Sequence, residues 1–375
     1  MNKKPKLIAF HDQKYHFQEL FDSKTGFYVR SGIVKKNHKG YVDTGIDPFM
    51  RCMPFLIDIG IMGQCEHGEK GLCTKAGVEC YQDGLRIKQP NMSLANFKLI
   101  VEQIKGKTFQ CALGGRGDPN KHPDFAAIMQ HCRENHIVPN YTTSGFGLTA
   151  FEVAITKKYV GAVAVSFYRH KYTYHALEQF ISNGIKTNIH YVLANNSIDE
   201  AIEKLEGNSF PKGINAIIFL LHKPVGLGSI NNMLHPNDRR LKTLFDLIDN
   251  RQFPFKIGFD SCSIAGILNN TKNIDRKTIE CCEGGRFSCY ISSNMQMLPC
   301  SFDQEMKYGV DLNSVSIKDG WNSEKFTQFR NFLKLSCVSC QDRNECMGGC
   351  PLVPQITLCN RVTKKQEIQN HEDTQ

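Results

Sequence analysis

Residues 54–81 read PFLIDIGIMGQCEHGEKGLCTKAGVECY, an apolar run followed at once by a loop carrying three cysteines. The run at 55–62 has the length and composition of a buried strand. Cys65, Cys73 and Cys80 follow with the spacing C-x7-C-x6-C, and Tyr81 comes directly after the last. Metal sites filled by protein alone usually take four ligands, so three grouped thiols leave a fourth position to be explained.

Outward from this stretch, strand-like and helix-like segments alternate, the pattern of parallel β/α units. A helix is expected from near Ser93, with Leu94, Phe97, Val101 and Ile104 on one face. Further strands are expected at 107–113, 137–143, 160–167, 185–193 and 214–221. Pro123 suits the first position of the next helix, where no backbone donor is needed. On that helix Phe125, Ile128, Met129 and Cys132 share a face, which makes Cys132 core filling. Ser197 and Glu200 have the spacing of a capping box, and a last helix is expected at 236–249. Six such units are too few to close an eight-fold barrel. The expected fold is therefore α/β, a partial (β/α)6 TIM-like barrel, with ligands at the carboxyl ends of the strands. The cysteine loop leaves the first strand at that end.

The chain has 375 residues, 41% of them hydrophobic and 22% charged, which reads as a globular protein rather than a disordered or membrane one. No apolar run approaches bilayer length, so no membrane partner is expected. The start, MNKKPKLIAFHDQKYHF, has the basic residues of a signal peptide, but His11 and Asp12 interrupt its apolar part; a cytoplasmic protein is expected. The net charge of +9 is spread out, with short pairs such as Lys35-Lys36, Lys157-Lys158 and Arg239-Arg240. That distribution reads as solvated surface, and no nucleic-acid partner is expected. Sixteen cysteines are hard to explain as disulfides in a reducing compartment, which points to metal or redox chemistry. By composition the chain divides into an N-terminal extension (1–53) with strand-like pieces at 26–34, the barrel (54–260), a cysteine-rich segment (261–362) and a flexible tail (363–375). In the third of these periodicity fades, and metal is expected to supply an order that a hydrophobic core does not.

Cys337, Cys340, Cys346 and Cys350 form C-x2-C-x5-C-x3-C, with Cys359 beyond and Cys282, Cys289 and Cys300 before. Close thiolate pairs on irregular backbone suit iron–sulfur clusters, although zinc sites also use C-x2-C pairs and the spacing leaves both open. Two four-thiolate sites need eight cysteines, and these eight suffice, leaving Cys262 and Cys281 over. The triplet at 65, 73 and 80 stays separate. A cubane held by three thiolates keeps one iron without a protein ligand, free for a substrate or cofactor.

These features resemble the radical S-adenosylmethionine enzymes that carry a C-terminal SPASM domain. The resemblance covers 54–360 and rests on the cysteine loop after the first strand, on ALGGRGDPNKHPDF (112–125) after the second, and on the cysteines from Cys282 to Cys359. The family's loop is C-x3-C-x2-C, shorter than here; Arg116 stands where the family often has Glu, with Gly117 and Asp118 before Pro119, and Met295 replaces a glycine. The resemblance implies that Cys65, Cys73 and Cys80 hold a 4Fe-4S cluster whose open iron binds S-adenosylmethionine. It places Tyr81, Gly114, Gly115, Asp118, Ser166 and Arg169 around that cofactor, with Thr143 and Ser144 at another strand end. Cys282, Cys289, Cys300 and Cys350 would hold one auxiliary 4Fe-4S cluster, and Cys337, Cys340, Cys346 and Cys359 a second. Ser166 and Arg169 read equally as a strand-end cap and a surface charge, His67 as a solvated loop residue, and 222–228 (HKPVGLG) as an ordinary glycine loop.

For function, the resemblance implies a peptide or protein substrate, with a thioether or carbon–carbon crosslink in a ribosomally made peptide, and an electron donor of flavodoxin or ferredoxin type. One alternative is formylglycine formation of the anaerobic sulfatase-maturase kind, in which an Asp after the third SPASM cysteine is the base. Here Ser301 holds that position and Asp303 lies two residues on. The other is a non-enzymatic iron–sulfur or zinc-binding protein, which leaves the N-terminal triplet and the glycine motif unexplained.

Overall fold

The computed structural model describes residues 7–38, 40–335, 337 and 340–359, so the expected tail at 363–375 lies outside the described residues. The chain opens with an antiparallel meander, β1 (Leu7–Asp12), β2 (Phe17–Asp22) and β3 (Tyr28–Arg30), followed by the hairpin β4 (Val34–Asn37) and β5 (Gly40–Asp43). In β2, Phe17, Glu19 and Phe21 turn inward while Gln18 and Leu20 face solvent, the period-two pattern of a half-buried strand.

The main sheet begins with β6 (Leu56–Met62). The cysteine loop after it contains two single turns, α1 (Glu66–Glu69) and α2 (Leu72–Lys75). There follow α3 (Leu94–Ile104), β7 (Gln110–Gly115), α4 (Phe125–Glu134), β8 (Val138–Thr143), α5 (Ala150–Tyr159), β9 (Val163–Ser166), α6 (Lys171–Ser182), β10 (Thr187–Leu193), α7 (Ile198–Glu206), β11 (Ala216–Leu221), α8 (Arg239–Asn250) and β12 (Lys256–Phe259). Strands β6 to β12 lie side by side in sequence order and run parallel. The expected strands are present, and β12 adds a seventh.

Beyond α9 (Ile264–Asn270), the cysteine-rich segment is more regular than expected. Its strand β13 (Ser288–Ile291) returns to pair in parallel with β6, and β14 (Gln296–Leu298) and β15 (Val310–Asp311) continue the sheet antiparallel. The segment ends with α10 (Ile317–Trp321), α11 (Glu324–Leu335) and α12 (Arg343–Cys346). The sheet is open, with β12 at one edge and β15 at the other, rather than a closed barrel. An unpaired apolar β6 would be a sticky edge, and β13 covers it.

Register pairs sort the side chains onto two faces. Ile57 and Ile59 align with Cys111 and Leu113 on the face that packs against helix residues such as Phe97, Val101, Ile128 and Met129. Asp58 aligns with Ala112 and Tyr290 on the opposite face, which bears the cavities. The helix pattern holds for α3 and α4, where Phe97, Val101, Ile104, Phe125, Ile128, Met129 and Cys132 are buried. Helix α4 starts two residues after Pro123, behind Asp124. The capping box expected at Ser197 does not form. The Ser197 hydroxyl turns back to donate to the Val192 carbonyl (2.8 Å), and Glu200 is taken by Arg169 and Tyr191. A capping box forms instead at Thr149 and Glu152.

The N-terminal meander packs where the parallel strands begin. Phe17 and Phe21 cluster with Phe55, Phe109 and Phe287, each placed just before a strand of the main sheet. That end is sealed, and the carboxyl ends of the strands are left to carry the site.

Candidate active site

At the carboxyl end of β6, Cys65 caps α1, its sulfur accepting from the Gly68 amide (3.1 Å). Cys73 is buried in α2, and Cys80 follows one turn later. The three thiols interact with one another and border one cavity of about 420 Å³. Burial pushes the Cys65 thiol up to about 12, so its thiolate needs a compensating positive charge beside it. Among the described residues no three of His, Cys, Asp and Glu stand ready for a single metal ion. A cubane carries its thiolates on separate iron corners and so asks for a wider spacing than one ion does. Three thiols around one chamber fit such a cluster with one open corner.

The loop is longer than the family's, and glycines set it in place. A Cβ on Gly117 would lie 2.2 Å from the Gln64 carbonyl, and one on Gly84 would lie 2.9 Å from the Cys65 Cβ. The 222–229 segment straps it from the other side. Leu227 N–H donates to the Cys80 carbonyl (3.0 Å), and Ser229 binds Glu79 through its amide (2.6 Å) and its hydroxyl (3.0 Å).

Of the expected cofactor residues, Tyr81, Gly114, Gly115, Asp118 and Ser166 all border this cavity. A Cβ on Gly114 would meet nothing within 4 Å, so the strand end opens directly onto the chamber. Asp118 is held by Ser144, which donates its amide (2.7 Å) and its hydroxyl (2.5 Å) to the two carboxylate oxygens. Burial raises the Asp118 pKa, and those two bonds oppose the rise. Tyr81 packs at a tilt against Phe302 of the cysteine-rich segment, ring centroids 4.4 Å apart. Arg169 is not among the residues bordering the cavity; it pairs with Glu200 and donates to the Phe167 carbonyl (3.2 Å). Asp303 is likewise engaged elsewhere, accepting from the amides of Lys307 (3.0 Å) and Tyr308 (2.8 Å) in a turn. His67 is buried, not solvated. Its Nε2 meets the Tyr172 hydroxyl at 2.7 Å and its ring packs on Tyr168.

Several cavity residues escaped the sequence reading. Asp58 stands on the inner face of β6 at the junction with a second cavity, and burial pushes its pKa up to about 6. A carboxylate inside an otherwise apolar strand was the available signal. His190 on β10 faces the same space, its pKa lowered by burial to about 4 although Asp260 opposes the shift. Lys223 follows β11 and donates to Asp260 (2.6 Å); burial disfavours its charge, but Asp260 more than offsets that and keeps the ammonium pKa above its ordinary value. Arg116 also borders the cavity. Its Nη1 donates to Gln89 (2.9 Å), while its buried Nε has no hydrogen-bond partner among the described residues.

The second cavity, of about 560 Å³, is bordered by Cys281, Cys282, Cys289 and Cys300 from the cysteine-rich segment. Farther along, the thiols of Cys337 and Cys359 interact with Cys346, and the Cys340 amide donates to the Cys337 carbonyl (3.0 Å). No helix among the described residues is long and apolar enough to cross a membrane.

No family model and no curated protein matches the sequence. Solved structures do match. SuiB of Streptococcus suis bound to S-adenosylmethionine is 18% identical, with 83% of this chain and 78% of that one aligned and a TM-score of 0.63. SuiB bound to its precursor peptide SuiA is 15% identical over 95% of this chain and 100% of that one, with a TM-score of 0.68. The protein anSMEcpe with bound AdoMet and the Kp18Cys peptide is 16% identical over 79% and 89%, with a TM-score of 0.55. At these identities the likeness is one of fold, and the chain has the fold of SuiB and anSMEcpe.

Proposed function

We propose that this chain is a radical S-adenosylmethionine enzyme that modifies a peptide or protein. The observation that carries the reading is the convergence of Cys65, Cys73 and Cys80 on one chamber, beside the open strand end at Gly114. These three thiols would hold a 4Fe-4S cluster. What that group supplies when bound and reduced is the electron that divides the sulfonium of S-adenosylmethionine into methionine and a 5'-deoxyadenosyl radical, able to take hydrogen from an unactivated C–H bond.

The chain's own part is binding, orientation and exclusion of water. The open backbone at Gly114 lets a cofactor amino group approach beside Gly115, and the Arg116 Nε, unpartnered among the described residues, offers a donor to its carboxylate. Ser166 borders the same space from the end of β9. Asp58, His190 and Lys223 also line the chamber, where a substrate side chain would meet them. A peptide substrate is supported by the fold shared with structures crystallised with SuiA and with Kp18Cys. The finer reading is a thioether or carbon–carbon crosslink in a ribosomally made peptide. An electron donor of flavodoxin or ferredoxin type and a reducing, cytoplasmic setting belong to it.

The test is anaerobic reconstitution with iron and sulfide, reduction, and assay for 5'-deoxyadenosine. Wild-type protein forms it, and Cys65→Ala, Cys73→Ala and Cys80→Ala each abolish it. Product formation by the triple variant would refute the assignment.

A further inference from the structure

Four cysteines from distant parts of the chain come together behind the active-site chamber, and one of them is not in the set that the family resemblance implies. Cys262 lies in a single 3-10 turn, Ser261–Ser263, just after β12. Its thiol is against that of Cys350, and those of Cys282 and Cys300 are its neighbours. Cys282, Cys300 and the adjoining Ser261 border the 560 Å³ cavity, as do Cys281 and Cys289, whereas Cys262 and Cys350 stand behind its wall. Cys350 reaches the group from the far end of the segment, its sulfur accepting from the Val353 amide (3.4 Å).

Cys289 also borders that cavity, but its side chain belongs to a different environment. The parallel register pairs Cys289 with Ile57, and Ile57 with Cys111, so all three side chains share the face that packs on the helices. On that face the Cys289 neighbours include Cys111, which contacts Cys132, and the thiol is 2% exposed within the main apolar core. Its sequence neighbour Tyr290 pairs with Asp58 and takes the cavity face instead. The side chain takes only one face of the strand, and the register makes that the helix face.

We propose that Cys262 is the fourth thiolate of a four-cysteine iron–sulfur site made with Cys282, Cys300 and Cys350, and that Cys289 is a core residue. This rests on the iron–sulfur reading given above. The assignment places the site directly behind the chamber wall formed by Asp58, Asp260 and Tyr290, residues that border both cavities. It also leaves Cys337, Cys340, Cys346 and Cys359 as a complete second set. Lys223 stands near Cys262 and Cys300 and supplies a fixed positive charge beside a site that gathers negative thiolates.

Iron counting and spectroscopy on reconstituted full-length protein test this without using activity. Wild-type chain takes up about twelve irons if all three sites fill with cubanes. Cys262→Ser and Cys350→Ser each lose about four irons, or keep them with an altered EPR spectrum of the reduced protein where the serine oxygen takes the iron. Cys289→Ala keeps the wild-type iron count and spectrum. The wild-type protein gives a second, independent measurement. Cys262 resists alkylation in the loaded protein and becomes reactive together with Cys282, Cys300 and Cys350 when a chelator strips the iron. A Cys262→Ser protein identical to wild type in iron and EPR, a Cys262 alkylated in the loaded protein, or a loss of about four irons in Cys289→Ala overturns the assignment. A wild-type chain that takes up only about four irons, or zinc in their place, overturns the auxiliary-cluster reading itself and this assignment with it.

Discussion

At the scale of single residues, the chamber's chemistry is set by groups whose polar needs the protein leaves unmet or holds in one charge state. Arg116 Nε is buried without a hydrogen-bond partner among the described residues, and an unmet buried donor costs more than a satisfied one gains. A bound carboxylate would relieve it through a charge-assisted hydrogen bond of about 1.5–3 kcal/mol. Arg116→Ala is therefore expected to weaken S-adenosylmethionine binding to the reconstituted protein by roughly tenfold or more, with iron content unchanged, as read by equilibrium dialysis. Wild-type affinity in the variant removes Arg116 from the site. His190 gives a pH signature. Its folded pKa of about 4 lies below the ordinary 6.5, so the native state holds the ring neutral where the unfolded chain protonates it. Stability from this group is full above pH 6.5 and is lost as pH falls toward 4, by up to about 2 kcal/mol at pH 5. His190→Gln should flatten the dependence of the urea midpoint on pH between 7 and 5, and an unchanged slope would show that the imidazole is not held neutral. The cysteines that raise the chemistry were legible in the sequence because their spacing is itself the signal. His190 was not, and Arg116 was visible only as a departure from the glycine motif, because only the pleat and the strand ends reveal what faces the chamber.

At the scale of elements, the loop at 222–229 decides how firmly the cysteine triplet is held. Gly226 has φ +65°, and a Cβ there would sit 2.2 Å from the Tyr81 carbonyl and 2.9 Å from that of Cys80. The backbone must yield to any side chain, and the atoms that would move carry two of the expected site residues. Gly226→Ala is expected to lower stability by about 1–3 kcal/mol and to speed iron loss from the N-terminal site under chelator, while iron elsewhere is retained. Uniform iron loss, or none, would mean that the strap does not support the triplet. From sequence this segment reads as an ordinary glycine loop, because a close approach between distant backbones leaves no local trace. Helices α3 and α4 were legible because their apolar residues recur at helical spacing over three turns. Strands β12, β14 and β15 have four, three and two residues, too few for a period to declare itself. Without β13 and its register, Cys262 and Cys289 could not be told apart either, since period two assigns a face only when the pairing is known.

At the scale of the whole molecule, the sheet has two ends with separate duties, and the N-terminal meander serves the one without chemistry. Arg51 and Glu19 form an ion pair at 2.8 Å with both side chains fully buried. The same guanidinium donates to the carbonyls of Met53 (2.9 Å), Pro54 (3.2 Å) and Lys107 (2.5 Å), and the Arg51 carbonyl accepts from the Trp321 indole (2.9 Å). One residue thus joins the meander, the start of the parallel sheet and the cysteine-rich segment. Burying two charges is expensive, and the pair is tolerable only while both members and their hydrogen bonds are in place. Removing the carboxylate alone strands the guanidinium, so Glu19→Ala is expected to cost about 3–5 kcal/mol and to lower the thermal unfolding midpoint. The cluster of Phe17, Phe21, Phe55, Phe109 and Phe287 remains, so the chain still folds below that midpoint. Because the pair lies where the strands start, the folded, reconstituted variant should form 5'-deoxyadenosine at the wild-type rate per bound iron. A Glu19→Ala protein with an unshifted midpoint would mean that the guanidinium finds another partner. One that unfolds early and also cleaves S-adenosylmethionine slowly at low temperature would mean that strain at the sealed end reaches the chamber through β6.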